Sequence, residues 1–72
     1  MKDNVLSFLE ETWGKRLRLH FSDGCEIDCV FDGYSYDYDD SDNEILEIDF
    51  ECLDTGLLIG TTPEELDRIE LL

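Results

Sequence analysis

Apolar residues follow a helical spacing at the start of the chain and then alternate strictly with polar ones. Val5, Leu6, Phe8, Leu9 and Trp13 share roughly one side of a helix, which predicts a helix over residues 4–13. Asp3 or Asn4 is placed to cap it, and Gly14 stands where a left-handed terminating residue is wanted. So short a helix is unstable alone in water, so it must pack on something, with Leu6, Leu9 and Trp13 as the expected contact.

Beyond Gly14 the period becomes two. Leu17, Leu19 and Phe21 face one way, and Arg16, Arg18 and His20 the other. Ser22-Asp23-Gly24 is a turn signal, followed by Cys25, Ile27, Cys29 and Phe31 alternating with Glu26, Asp28, Val30 and Asp32. A two-residue loop would set Phe21 against Glu26 and spoil the apolar face. A three-residue loop sets Phe21 against Cys25, Leu19 against Ile27 and Leu17 against Cys29. It also sets Arg18 against Asp28 and His20 against Glu26, both favourable cross-strand pairs.

Residues 34–43 read as an exposed acidic connection. The third strand then carries Leu46, Ile48, Phe50 and Cys52 on one face and Glu47, Asp49 and Glu51 on the other. A turn at Leu53-Asp54-Thr55-Gly56 sets Cys52 against Leu57 and Phe50 against Ile59. Thr62-Pro63-Glu64-Glu65 has the form of a capping box, and Arg68–Leu71 reads as a last strand with Ile69 and Leu71 inward. The expectation is a single mainly-β domain. A helix precedes a small closed or nearly closed barrel over residues 15–72, made of four or five strands with one helical turn before the last.

Composition narrows the class. The chain has 72 residues, with 5 Lys and Arg against 20 Asp and Glu, a formal charge of −15. A hydrophobic content of 42% is too high for a disordered acidic tail. No apolar run reaches the ~20 residues of a membrane span, and Met1-Lys2-Asp3 leads into no signal-peptide core. A soluble, cytoplasmic domain is therefore expected. The charge argues against free-standing nucleic-acid binding, whose affinity comes largely from cations on phosphates.

Candidate chemistry is sparse. Cys25, Cys29 and Cys52 run in phase with Ile and Phe, and their spacing is not that of a zinc knuckle, so they are expected as small buried hydrophobes with no metal. The acidic run Asp37–Glu44 fits no EF-hand register and reads as a solvated loop. His20 is the one histidine, expected on the exposed face, and no catalytic constellation surrounds it. The chain is expected to be no enzyme and to hold no cofactor.

The carboxylates are more informative. From Leu19 to Asp67 inclusive there is no Lys or Arg but sixteen Asp and Glu. Glu47, Asp49 and Glu51 repeat every second residue, about 6.5–7 Å apart along one strand face. Tyr34, Tyr36 and Tyr38, interleaved with Asp37 and Asp39, have the composition of an interface or of a cover over the barrel mouth. The expected partner surface is Tyr34, Tyr36, Tyr38, Asp39, Asp42, Glu47, Asp49 and Glu51, and the expected partner a basic protein.

The run Trp13-Gly14-Lys15-Arg16-Leu17-Arg18-Leu19-His20-Phe21-Ser22-Asp23-Gly24 resembles the first strand and turn of Sm-like (LSM) domains, and Cys29-Val30-Phe31-Asp32-Gly33-Tyr34 resembles the strand that follows. Over residues 3–72 the chain is similar to short stand-alone LSM-type proteins of Gram-positive bacteria. Its Gly14-Lys15 opening, Tyr34 with Asp42-Asn43-Glu44, and Arg68-Ile69-Glu70-Leu71 are the matching features. The resemblance implies a strongly bent, five-stranded SH3-like barrel that forms rings through its fourth and fifth strands. In this chain those contacts would fall on Leu57, Leu58, Ile59 and Ile69, with Leu58 the exposed apolar residue. Many Sm-like proteins bind RNA, with a basic residue before a glycine between strands four and five. Here that segment is Ile59-Gly60-Thr61-Thr62-Pro63-Glu64, without a cation. Three roles follow: an interaction module for a basic protein or for its own copies, a nucleic-acid mimic or immunity-type inhibitor, and an RNA-binding ring using Lys15, Arg16 and Arg18.

Overall fold

The computed structural model describes residues 5–72, so the expected caps at Asp3 or Asn4 lie outside the described residues. Helix α1 spans Val5–Glu11, and its C-terminus comes earlier than the sequence predicts. The Thr12 N–H and hydroxyl still donate to the Phe8 carbonyl, at 3.1 and 2.9 Å. The chain then leaves the helix in a turn where Lys15 N–H donates to the Thr12 carbonyl at 3.0 Å and Gly14 takes φ 82°. Val5 and Leu9, one helical turn apart, are buried, and Leu6 and Phe8 pack beside them. Trp13 falls in the turn and stays 56% exposed, not the buried contact expected of it. Its ring stands against Phe31 at 4.6 Å between centroids and 71° between planes.

Five antiparallel strands follow: β1 Arg16–Phe21, β2 Glu26–Tyr38, β3 Glu44–Cys52, β4 Leu58–Thr61 and β5 Leu66–Leu71. A short 3-10 turn, Pro63–Glu65, precedes β5. They form one sheet in the order β4-β3-β2-β1-β5. The β1–β2 register is the expected one, with Leu17 opposite Cys29, Arg18 opposite Asp28, Leu19 opposite Ile27 and His20 opposite Glu26. The Phe21 N–H donates to the Cys25 carbonyl at 2.8 Å and closes a loop of three residues, in which Gly24 takes φ 93°, open to a residue without Cβ. Phe50 opposes Ile59, also as expected. The core is Val5, Leu9, Leu17, Leu19, Cys29, Phe31, Ile48, Phe50 and Leu66.

Strand ends depart from the simple alternation. Cys25 precedes β2 and is exposed, Leu57 precedes β4 and is exposed, and Leu71 closes β5 and is exposed. Cys29 is buried and Cys52 half-buried, and the two face each other across β2 and β3. Strand β5 starts at Leu66, two residues before the expected point, and adds a core residue. Thr62 makes no side-chain cap. Glu65 instead accepts a 2.9 Å hydrogen bond from the Thr61 hydroxyl.

The largest departure is at residues 34–38, expected in a connection but forming the outer half of β2. Phe31 opposes Phe50, yet Gly33 opposes Asp49 and Tyr34 opposes Ile48, so Asp32 is the extra residue of a bulge. The bulge shifts the inward phase from odd to even residues. Tyr34, Tyr36 and Tyr38 thereby join the sheet face of Ile48 and Leu46.

The sheet is not closed into a barrel: β4 and β5 are its two edges. Pro63 has no N–H to extend the ladder with β3, so β4 stops after four residues. The sheet nevertheless curls. Its edges would lie about 19 Å apart if flat, at about 4.8 Å per strand. The link from Thr61 to Leu66, mostly 3-10 turn, spans about 13 Å. Among the described residues no helix is long and apolar enough to cross a membrane.

Candidate functional site

Glu47, Asp49 and Glu51 alternate with buried Ile48 and Phe50, so the three carboxylates project from the outer face of β3. Their cross-strand neighbours carry no charge. Ser35 lies opposite Glu47, Gly33 and Gly60 flank Asp49, and Val30 and Leu58 flank Glu51. A Cβ at Gly60 would sit 2.7 Å from Glu47 Oε1 and 3.2 Å from Asp49 Oδ1, so both carboxylates lean over the bare glycine. The outer face of this half of the sheet is negative, with no cation in the ladder to offset it.

The tyrosines lie on the opposite face. Tyr34, Tyr36 and Tyr38 are 42%, 51% and 62% exposed, extending the apolar side of the sheet past the end of the core. Tyr34 and Tyr36 stand nearly perpendicular, 5.9 Å between ring centroids. The structure thus separates two groups that the sequence placed in one surface, and the cause is the bulge at Asp32. Asp39 and Asp42 lie in the tip joining β2 to β3. Asp39 Oδ1 accepts hydrogen bonds from the N–H groups of Ser41 and Asn43 at 2.8 and 2.9 Å, and these hold its carboxyl below the usual range. Asp42 takes φ 60°, a value Asp tolerates better than most residues. Of the edge residues, Leu58 is exposed on β4 with Leu57 just before it, whereas Ile59 and Ile69 are half-buried against the core.

A groove of about 430 Å³ was not foreseen. It lies between the start of β3 and the 3-10 turn, lined by Tyr36, Glu44, Ile45, Leu46, Pro63 and Glu64. The signal for it was a mismatch of lengths. The alternation of β3 runs back to Glu44, while Pro63 ends β4 opposite Ile48, so the first residues of β3 lack a neighbour on that side.

The cations of β1 and β5 sit elsewhere. Arg18 Nε lies 2.7 Å from Asp28 Oδ1 and Nη2 3.1 Å from Oδ2, which lowers the Asp28 carboxyl and raises the guanidinium. His20 is largely covered, not exposed as expected, and stands between Glu26 at 3.2 Å and Glu70 at 3.0 Å. The His20 contact lowers the Glu70 carboxyl. A depression of about 500 Å³ beside Arg18 is lined by Glu26, Asp28, Asp54 and Thr55, where the guanidinium is already paired. Burial and neighbouring Cys52 push the Cys29 thiol up to about 12, which suits a packed thiol and not a nucleophile. Among the described residues no group of three or more His, Cys, Asp or Glu side chains is placed to hold a metal ion.

Comparison with protein-family models, with curated proteins and with solved structures finds no match.

Proposed function

We propose that this chain is a non-catalytic interaction module of Sm-like type, built to engage a basic protein. One observation carries the reading: β3 and the outer half of β2 present carboxylates on a folded sheet beside an uncharged β4, without a Lys or Arg among the three. Such a surface attracts a cationic partner over about a Debye length, near 10 Å at moderate salt. The order of elements supports the Sm-like part. A helix precedes five strands, β2 is long and bulged, and a 3-10 turn leads from β4 into β5. The same acidity is the basis of the mimic or immunity reading, which differs only in what its basic partner does. Affinity capture from cell extract at low salt, repeated at about 0.5 M salt, tests the proposal. The expected partners are basic and are released by salt. Recovery of only neutral or acidic proteins refutes it.

Self-association is a second reading, favoured by the two open edges. Strand β4 has no charged residue and shows Leu58, and β5 shows Leu71. These are the strands through which Sm-like proteins commonly close rings. Light scattering decides it: a monomeric mass at high protein concentration and high salt removes the ring, and with it an RNA-binding ring.

A further inference from the structure

The ladder between β3 and β4 runs from Glu51 opposite Leu58 to Ile48 opposite Thr61 and stops there. Strand β3 continues to Glu44, paired with β2 on one side only. Phe50 and Ile48 face β4 at ladder positions equivalent to Cys52, whose N–H reaches the Leu57 carbonyl. By the period of two, the N–H and C=O groups of Leu46 and Glu44 point to the same, uncovered side. This is a short open edge within the sheet, distinct from the edges offered by β4 and β5.

The floor and walls beside that edge are specific in chemistry. Tyr36, half exposed, supplies an aromatic ring, Ile45, Leu46 and Pro63 an apolar lining, and Glu44 and Glu64 two carboxylates, one on each side. No Lys or Arg stands between Leu19 and Asp67 to neutralise them. We infer that this groove binds an extended segment of a basic protein, which adds as a strand along Glu44–Glu47 and seats an arginine side chain against Tyr36 between Glu44 and Glu64. Backbone pairing supplies the register, and the aromatic face and the two carboxylates select for a cation with a long apolar stem. Arginine suits the site because its flat guanidinium stacks on a ring and still donates to carboxylates at its rim.

The inference deepens the reading of a basic partner and rests on it, so the test separates the two. The probe is an acetylated octapeptide of alternating threonine and arginine, labelled at one end, with a threonine–glutamate octapeptide as control; binding is read by fluorescence polarisation at low salt. The arginine peptide is expected to bind and the control not to. Y36A weakens binding about fivefold and Y36F leaves it within about twofold, as loss and retention of a cation–π contact require. E64Q, on the exposed 3-10 turn, weakens it about threefold without lowering the melting temperature. The reference is D49N/E51Q on the opposite face, where β3 is already paired with β4; it reduces only long-range attraction and weakens binding less than Y36A does. If that double variant loses more than Y36A and E64Q, the groove is overturned and the basic-partner reading stands. If the arginine peptide does not bind at all, both fall.

Discussion

Trp13 lies outside the helix it was expected to complete, yet its ring is set on Phe31, the buried residue just before the β2 bulge. W13A tests whether that contact holds α1 to the sheet. A fully buried aromatic side chain removes about 150–250 Å² from water. With 56% of Trp13 left exposed, roughly 100 Å² is covered, or about 2.5 kcal/mol at 25 cal/mol/Å². The edge-on ring contact adds about 1 kcal/mol. Denatured chains already hide part of this area, which brings the expected loss to about 2–3 kcal/mol. A domain of this size has about 4–11 kcal/mol in total, so the variant remains folded but weakened. Thermal melts followed by far-ultraviolet circular dichroism should show a drop of roughly 10–20 °C, with W13F losing about half as much. A W13A midpoint within about 3 °C of the parent would refute the reasoning and leave Val5 and Leu9 as the helix's anchors.

Four further outcomes are expected. G24A should destabilise by about 1 kcal/mol although nothing crowds the position, because φ 93° strains any side chain. G60A should be neutral or slightly stabilising in a urea melt, because the crowding atoms are the mobile ends of Glu47 and Asp49. Iodoacetamide near pH 8 should modify exposed Cys25 in the native protein and leave buried Cys29, pushed up to about 12, unmodified until denaturant is added. The Asp28 carboxyl is lowered by Arg18, so its contribution is present above the ordinary carboxylate range and is lost as pH falls through the depressed value. D28N should therefore be less stable than the parent at about pH 6, and the two urea midpoints should converge by about pH 2. A gap that persists in acid would mean that Asp28 acts through packing.

The β1–β2 hairpin was legible to the residue, because only a three-residue loop keeps Leu17 and Leu19 facing the same side as Ile27 and Cys29. Strand β3 and its outward carboxylates were legible for the same reason. The alternation misled wherever one extra residue broke it. Asp32 moved Tyr34, Tyr36 and Tyr38 from a supposed loop into a strand and onto the apolar face, and no local composition marks that step. Cys25, Leu57 and Leu71 kept the apolar phase but lie exposed at the ends of their strands, Leu71 on an edge strand with a neighbour on one side only. The groove combines both effects. Its residues come from two segments brought together only because Pro63 shortens β4, which pairwise reading of adjacent strands does not reveal.

The position of β5 has a kinetic consequence. Its ladder with β1 joins residues such as Leu19 and Ile69, about fifty positions apart, whereas every other pair of strands is adjacent in the chain. Closing so long a loop costs entropy before any contact repays it. The β1–β2 and β2–β3 hairpins are therefore expected to form first, with Leu19 uncovered on one flank until Ile69 arrives beside it. Slow refolding should then respond to substitutions at Ile69 and Leu66 in its folding arm, and changes in the β1–β2 turn should act earlier in the sequence of events.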